Sequence, residues 1–315
     1  MYESFFGLKR TPFSTIPDPG LLFLSPVHQR ALSLLEYAVL ARAGFCVIVG
    51  EVGAGKTTLV RRLLQKIGPD LEVGLVSNTT CASFEELLQW ILLAFDLDYK
   101  GKDKVELYDT FVEFLIERFS RGRPVTLIID EAQNLPPELL EQLRMLSNLN
   151  TEKGQLLQTI LIGQPNLWDV LQQPRLEQLA QRISYDYFLG PLDSVDLVGQ
   201  YIRYRLAAAG GDAALFQEDT YELIWQATGG VPRLINLVCD TALVYAFAEQ
   251  VARVDRRIVE QVLKDKEMGF APLGRRTLPE ESEPAAKTAT EIPVTRRKAL
   301  SARSTIERAM LKDAK

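Results

Sequence analysis

Apolar positions recur every three to four residues along 26–42, through Val27, Ala31, Leu34, Leu35 and Ala38, which predicts an amphipathic helix ended by Gly44. A short apolar run at 45–49 follows and reads as a buried strand. The two patterns then alternate. A helix after Gly55 leads to a strand near 71–77 and to helices near 83–95 and 104–119, the first opened by Ser83 and Glu86 at capping-box spacing. A strand at 125–129, a helix begun by Pro136 or Pro137, a strand at 157–163 and a last strand near 184–189 complete the series. Strands alternating with helices predict a parallel sheet covered on both faces, and such sheets bind ligands beyond the carboxyl ends of their strands.

After Gly190 and Pro191 the strand pattern stops, and 191–267 reads as several helices. The expected organisation is an N-terminal strap at 1–25, an α/β core at 26–190, an all-helical lid at 191–267 and a polar tail at 268–315. Phe5, Phe6, Pro12, Phe13, Pro17 and Pro19 suit an extended strap packed on the body rather than a helix. The tail is rich in Pro, Glu, Thr, Ala, Lys and Arg and predicts disorder, with a short helix around 305–311 and a solvated charge run at Arg296, Arg297 and Lys298.

The segment Gly50-Glu51-Val52-Gly53-Ala54-Gly55-Lys56-Thr57 lies between a predicted strand and a predicted helix and matches the Walker A pattern in full, and Thr58 after it is also expected to bind the nucleotide. Its glycines let backbone amides close around phosphate oxygens, and the helix N-terminus adds free N–H groups and its dipole. Lys56 is expected to reach the β- and γ-phosphates of ATP, and Thr57 to ligate Mg²⁺. The apolar strand 125–129 ends in Asp130 and Glu131, as in a Walker B element. Asp130 is expected to hold the Mg²⁺ shell, and Glu131 to orient and polarise the attacking water.

Further motifs accompany these: Phe5-Phe6-Gly7-Leu8 with Pro12-Phe13, Asp130-Glu131-Ala132-Gln133-Asn134-Leu135, Leu143 to Leu149, Leu161-Ile162-Gly163-Gln164-Pro165, and Gly229-Gly230-Val231-Pro232-Arg233. As a set they resemble the ExeA-type AAA+ ATPases, the general secretion pathway A proteins and their relatives near pilus-biogenesis and exosortase-associated polysaccharide systems. The resemblance covers about 1–266. It implies a P-loop AAA+ core, a sensor 1 role for Gln164, a switch role for Asn78 toward Glu131, and a sensor 2 role for Arg233. Pro232 suits the first helical position, so Arg233 falls in the first turn, where a cation is unfavourable unless an anion lies opposite. The segment 175–183 stands where such proteins carry an arginine finger. Arg182 is the first choice and Arg175 the second, acting on a neighbouring subunit in a ring or open spiral. Type members join the ATPase to a transmembrane helix and a peptidoglycan-binding domain, which this sequence lacks, so a membrane role is expected to run through a separate envelope-assembly partner.

Composition narrows the alternatives. Lys and Arg number 36 against 41 Asp and Glu, a net charge of −5 that gives no bulk attraction to nucleic acid or anionic lipid. Residues 271–315 hold 10 Lys plus Arg and 6 Asp plus Glu, so the preceding part carries the acidic excess. A DNA-binding ATPase of the transposition target-selection kind is the second reading, and a slowly hydrolysing nucleotide switch the third. Cys46, Cys81 and Cys239 are far apart, against a disulfide framework or zinc site, and with no secretory leader or apolar run of about 18 residues the expected location is the cytoplasm, or the inner membrane periphery through a partner. His28, the only histidine, is expected beside the nucleotide or in solvent rather than in catalysis, and Phe111, Phe114 and Phe119 in core or interface.

Overall fold

The computed structural model describes residues 1–16, 18–66, 68, 71–77, 80–151 and 154–267. The expectations for Asn78 and for 268–315 lie outside the described residues. In chain order the strands are β1 (Phe45–Gly50), β2 (Glu72–Val76), β3 (Val125–Ile129), β4 (Asn150–Thr151), β5 (Gly154–Gln155), β6 (Leu157–Gly163) and β7 (Ile183–Leu189). The helices are α1 (Pro26–Leu40), α2 (Lys56–Lys66), α3 (Phe84–Ala94), α4 (Lys104–Ser120), α5 (Pro137–Leu146), α6 (Asn166–Leu171), α7 (Glu177–Ala180), α8 (Val195–Ala208), α9 (Thr220–Thr228), α10 (Pro232–Ala248) and α11 (Arg256–Glu267).

Five strands form a parallel sheet in the order β2-β3-β6-β1-β7, while β4 and β5 make a small antiparallel hairpin that the sequence reading lacks. Side chains alternate across β1. Phe45, Val47 and Val49 join a cluster with Leu87 and Ile91 of α3, Phe111 and Phe114 of α4, and Leu140 of α5. Cys46 and Ile48 join Leu32 and Leu35 of α1 and Leu59 and Leu63 of α2 on the opposite face. A strand covered on both faces is mostly apolar, as β1 is, whereas β6 buries Gln158 by bonding it to Thr126 Oγ1 (3.0 Å) and to the carbonyl of Ala38 (2.7 Å). Each fully buried Leu, Ile or Val side chain stabilises by about 1.5–3 kcal/mol. Phe119 is half-buried against the same cluster as Phe111 and Phe114.

Capping sets where the helices begin. Ser83 Oγ accepts from the Glu86 amide at 3.2 Å, but the Glu86 carboxylate accepts from Ala82 rather than from Ser83, so only half of the expected box forms. The complete box belongs to α4, between Asp103 and Glu106. Pro137 opens α5 with Pro136 as its N-cap.

After β7 the described residues contain no further strand, only an isolated bridge between Phe216 and Val254. Helices α8 to α11 share a separate cluster that includes Val198, Ile202, Ile235, Leu243 and Val259, together with Tyr2, Leu8 and Phe13. The N-terminal segment thus packs on these helices, and it is not extended as expected. Phe6 and Leu8 amides donate to the carbonyls of Tyr2 (3.1 Å) and Glu3 (2.7 Å), closing a turn that puts Gly7 at φ 65°. The aromatic rings supply the reason, because folding back places Phe5 edge-on to both Phe6 (4.8 Å) and Phe247 (5.5 Å).

One buried cation fastens this segment to α8. Arg205 donates to the carbonyls of Pro12 (2.6 Å), Ser14 (3.0 Å) and Leu21 (3.4 Å) and lies over the ring of Tyr201. Carbonyls and an aromatic face replace the water that burial removes from the guanidinium.

Candidate functional site

Strand order brings the motifs together. With β6 between β1 and β3, the carboxyl ends of these strands deliver the 50–57 loop, Gln164 and the Asp130–Glu131 pair to one edge of the sheet. Gly53 (φ 82°) and Gly55 (φ 98°) occupy left-handed conformations, which a Cβ would strain. Crowding adds to this at Gly53, where a built Cβ would lie 2.4 Å from Cβ of Arg233.

Lys56 begins α2 and is 6% exposed. Its Nζ donates to the carbonyls of Gly50 (2.7 Å) and Glu51 (3.1 Å). Burial pushes its pKa down, while the neighbouring Glu131, Asp130 and Glu51 carboxylates oppose the shift. The next residue, Thr57, donates from Oγ1 to Asp130 Oδ2 at 3.0 Å, and the Glu131 amide donates to the other Asp130 oxygen at 2.9 Å. Burial raises the pKa of Asp130, and these two hydrogen bonds work against that rise.

Glu131 sits at φ 52°, in the left-handed region. Its Oε2 accepts from Gln133 Nε2 at 2.6 Å and from Gln164 Nε2 at 3.2 Å. A cavity of about 340 Å³ opens over Glu131, lined by Lys56, Thr57 and Thr58 on one side and by Tyr201, Arg233 and Asn236 of the helical part on another, while Asp130, Gln133 and Gln164 lie behind its lining. Residues 14–16 and 21–23 close a third side.

Arg233 lies in the first turn of α10, where its amide donates to the carbonyl of Gly53 at 3.2 Å. The turn contains no acidic residue. The guanidinium is exposed, lines the cavity and has no ionic or hydrogen-bonding partner among the described residues. Arg182 and Arg175 do not line it. Arg182 donates to Ser147 Oγ at 3.3 Å, while Arg175 pairs with Glu138 (2.6 Å) and Gln173 (2.9 Å).

His28 is buried between α1 and the loop. Its Nε2 meets the carbonyl of Ala54 at 2.9 Å and its Nδ1 meets Ser25 Oγ at 2.7 Å. A carbonyl only accepts, so Nε2 carries the proton and Nδ1 accepts from the serine, which is the neutral tautomer. Burial lowers the pKa of His28 below its ordinary 6.5, with the Ala54 bond opposing. The unfolded chain therefore takes up a proton first as pH falls. The stability this neutral ring contributes is complete above about pH 6.5 and is lost as pH falls from there through the lowered folded-state pKa, at about 1.4 kcal/mol per unit at most. Urea unfolding across pH 7.5 to 5 is expected to show this loss in the wild type and a shallower slope in His28→Asn; equal slopes would remove His28 as its source.

The donor set fits the groups the motifs imply. Thr57 and Asp130 offer two hard oxygen ligands, the number with which Mg²⁺ is commonly held when phosphate oxygens and water complete its shell. The glycine turns and a lysine whose ammonium donates to the carbonyls of the loop suit a polyphosphate. Sequence reasoning assigns no role to Gln133, Tyr201, Arg205 or Asn236. Arg205 carried the one legible signal, a charge at an apolar position of α8 between Ile202 and Leu206.

The family model for the AAA domain matches residues 40–171. General secretion pathway protein A from Aeromonas hydrophila is 43% identical over 249 residues, which are 79% of this chain and 45% of that protein. The chain thus spans less than half the length of that relative. Cdc6p from Pyrobaculum aerophilum superposes with a TM-score of 0.64 at 18% identity, covering 81% of this chain and 70% of that one. The ORC2 protein of Aeropyrum pernix, in ADPNP–ADP complexes, gives 0.61 at 15% identity over 82% and 72%. These likenesses show a P-loop AAA+ fold.

Proposed function

We propose, from the 43% identity to general secretion pathway protein A over 79% of this chain and the AAA-domain match at 40–171, that this is an AAA ATPase of that type, which binds ATP with Mg²⁺ and hydrolyses it by attack of water on the γ-phosphate. The observation that carries this reading is the buried Lys56 beside the Thr57–Asp130 pair, facing a cavity of about 340 Å³. Lys56 exchanges its carbonyl partners for β- and γ-phosphate oxygens, and residues 50–58 supply amides around the phosphates. Thr57 and Asp130 hold the Mg²⁺, which neutralises phosphate charge when bound. Glu131 orients the attacking water and accepts its proton, Gln164 reaches the γ-phosphate or that water, and Arg233 neutralises the anion that its helix terminus lacks.

The division into a core at 26–190 and a lid at 191–267 belongs to the same proposal. Tyr2, Leu8 and Phe13 pack with the lid helices, which supports the N-terminal segment moving with them. Hydrolysis then changes the lid's seat on the loop through Arg233 and Gly53. The relative's name supports delivering that motion to an envelope secretion or export apparatus, and among the described residues no helix is long and apolar enough to cross a membrane. The proposed partner is a membrane-associated envelope-assembly protein, and the proposed active form a ring or spiral in which Arg182 acts on a neighbour.

Equilibrium binding of a fluorescent ATP analogue tests the first step. Lys56→Ala is expected to weaken Mg²⁺-dependent binding at least about tenfold, since one charge-assisted contact of about 1.5–3 kcal/mol is lost. Unchanged binding by a folded Lys56→Ala would contradict the site.

A further inference from the structure

Gln133 forms part of a motif, yet no step of the proposed reaction uses it. It follows Glu131 by two residues, in the 3-10 turn Ala132–Asn134. Its side chain spans two neighbours: Nε2 donates to Glu131 Oε2 at 2.6 Å, and Oε1 accepts from the Gln164 amide at 3.0 Å. This orientation is chemically forced. A carboxylate can only accept and a backbone N–H can only donate, so the flipped amide would face two like groups.

The anchor at the other end is equally tight. A Cβ built on Gly163 would lie 2.8 Å from Gln133 Oε1, so the amide rests on the bare backbone at the end of β6. Glu131 itself sits at φ 52°, a conformation that a non-glycine residue holds only with outside support. The Gln133 amide is nearer to Glu131 than the Gln164 amide, 2.6 against 3.2 Å, and it is itself fixed to the backbone at Gln164.

We propose that Gln133 is a positioning residue that holds the Glu131 carboxylate in register with the end of β6, so that Glu131 and Gln164 present a fixed pair to the water and the γ-phosphate. This rests on the reading of Glu131 as the water-polarising group. Gln133 lies behind Glu131 and does not line the cavity. Its loss therefore leaves ATP binding intact and lowers turnover, because a catalytic group displaced by about 1 Å can cost on the order of 10²-fold in rate.

Two substitutions separate positioning from simple support of the fold. Gln133→Leu removes both bonds. Gln133→Glu keeps the shape and still accepts from the Gln164 amide, but replaces the donor to Glu131 with a second carboxylate. Both variants are expected to lose about 10²-fold in kcat while KM for ATP stays within about threefold. If Gln133→Leu fails to fold, Gln133→Glu decides alone. Wild-type kcat in Gln133→Glu would overturn the proposal, since only the anchor would then matter, and so would a loss confined to KM.

A double-mutant cycle completes the test in single-turnover reactions with enzyme in excess. Glu131→Gln combined with Gln133→Leu is expected to be no slower than Glu131→Gln alone, because Gln133 acts through that carboxylate. A further loss of tenfold or more would overturn the proposal. A wild-type rate for Glu131→Gln alone is a separate outcome, which removes the reading of Glu131 itself.

Discussion

Glu131→Gln is expected to retain ATP and to lose turnover by about 10²–10⁴-fold, the range of a general base removed. The amide matches the carboxylate in shape and can still present an oxygen to the Gln133 and Gln164 amides that now converge on Oε2. What disappears is the charge that polarises water and takes its proton. Lys56, Thr57 and Asp130 are untouched, so the phosphates and Mg²⁺ keep their ligands and KM for ATP should move by no more than a few-fold. Retention of ATP through gel filtration and phosphate release measured in parallel give both quantities. A wild-type rate of phosphate release would show that Glu131 is not the base.

The largest expected effect lies between subunits. Arg182→Ala is expected to lose about 10³–10⁵-fold in rate, or about 4–7 kcal/mol of barrier, with its own P-loop intact. The partners of the two candidates favour Arg182 over Arg175. Among the described residues Arg182 holds only a neutral hydroxyl, Ser147 Oγ at 3.3 Å, whereas Arg175 would have to abandon the Glu138 carboxylate at 2.6 Å. A neutral partner is the cheaper one to exchange for a phosphate. Mixing Arg182→Ala with Lys56→Ala pairs an intact loop on one subunit with an intact finger on the other. Recovery of activity that neither variant has alone is the expected result. Absence of recovery in demonstrated mixed oligomers would remove Arg182 from this role.

The parts of the fold legible in the sequence are those whose signal is local. Predominantly apolar runs, broken only by Thr126 in β3 and by Gln158 and Thr159 in β6, mark these strands at their observed bounds, because both faces are covered. The Walker patterns were legible for a related reason: a phosphate cradle needs glycines, a lysine and a hydroxyl within eight consecutive residues, so the chemistry is written in spacing. The walls of the cavity are not written that way. Arg205 and Asn236 meet the carbonyl of Ser14 only through the packing of α8 and α10 on the N-terminal segment, and no periodicity reports a contact across roughly 190–220 residues of chain. The short helices α6 and α7 and the β4–β5 hairpin fall below the length at which a pattern becomes visible. Gln133 was hidden differently, since its position in the motif is plain but its role depends on β6 lying beside β3.

The central claim is that the 50–58 loop, Asp130 and Glu131 form a working hydrolysis site. Phosphate release from ATP by the full chain, followed over a range of protein concentrations with Mg²⁺ or EDTA, tests it most directly. The account predicts release that requires Mg²⁺, rises faster than in proportion to protein concentration and is lost in both Lys56→Ala and Glu131→Gln. Release that persists in a folded Lys56→Ala, or in EDTA, would contradict it.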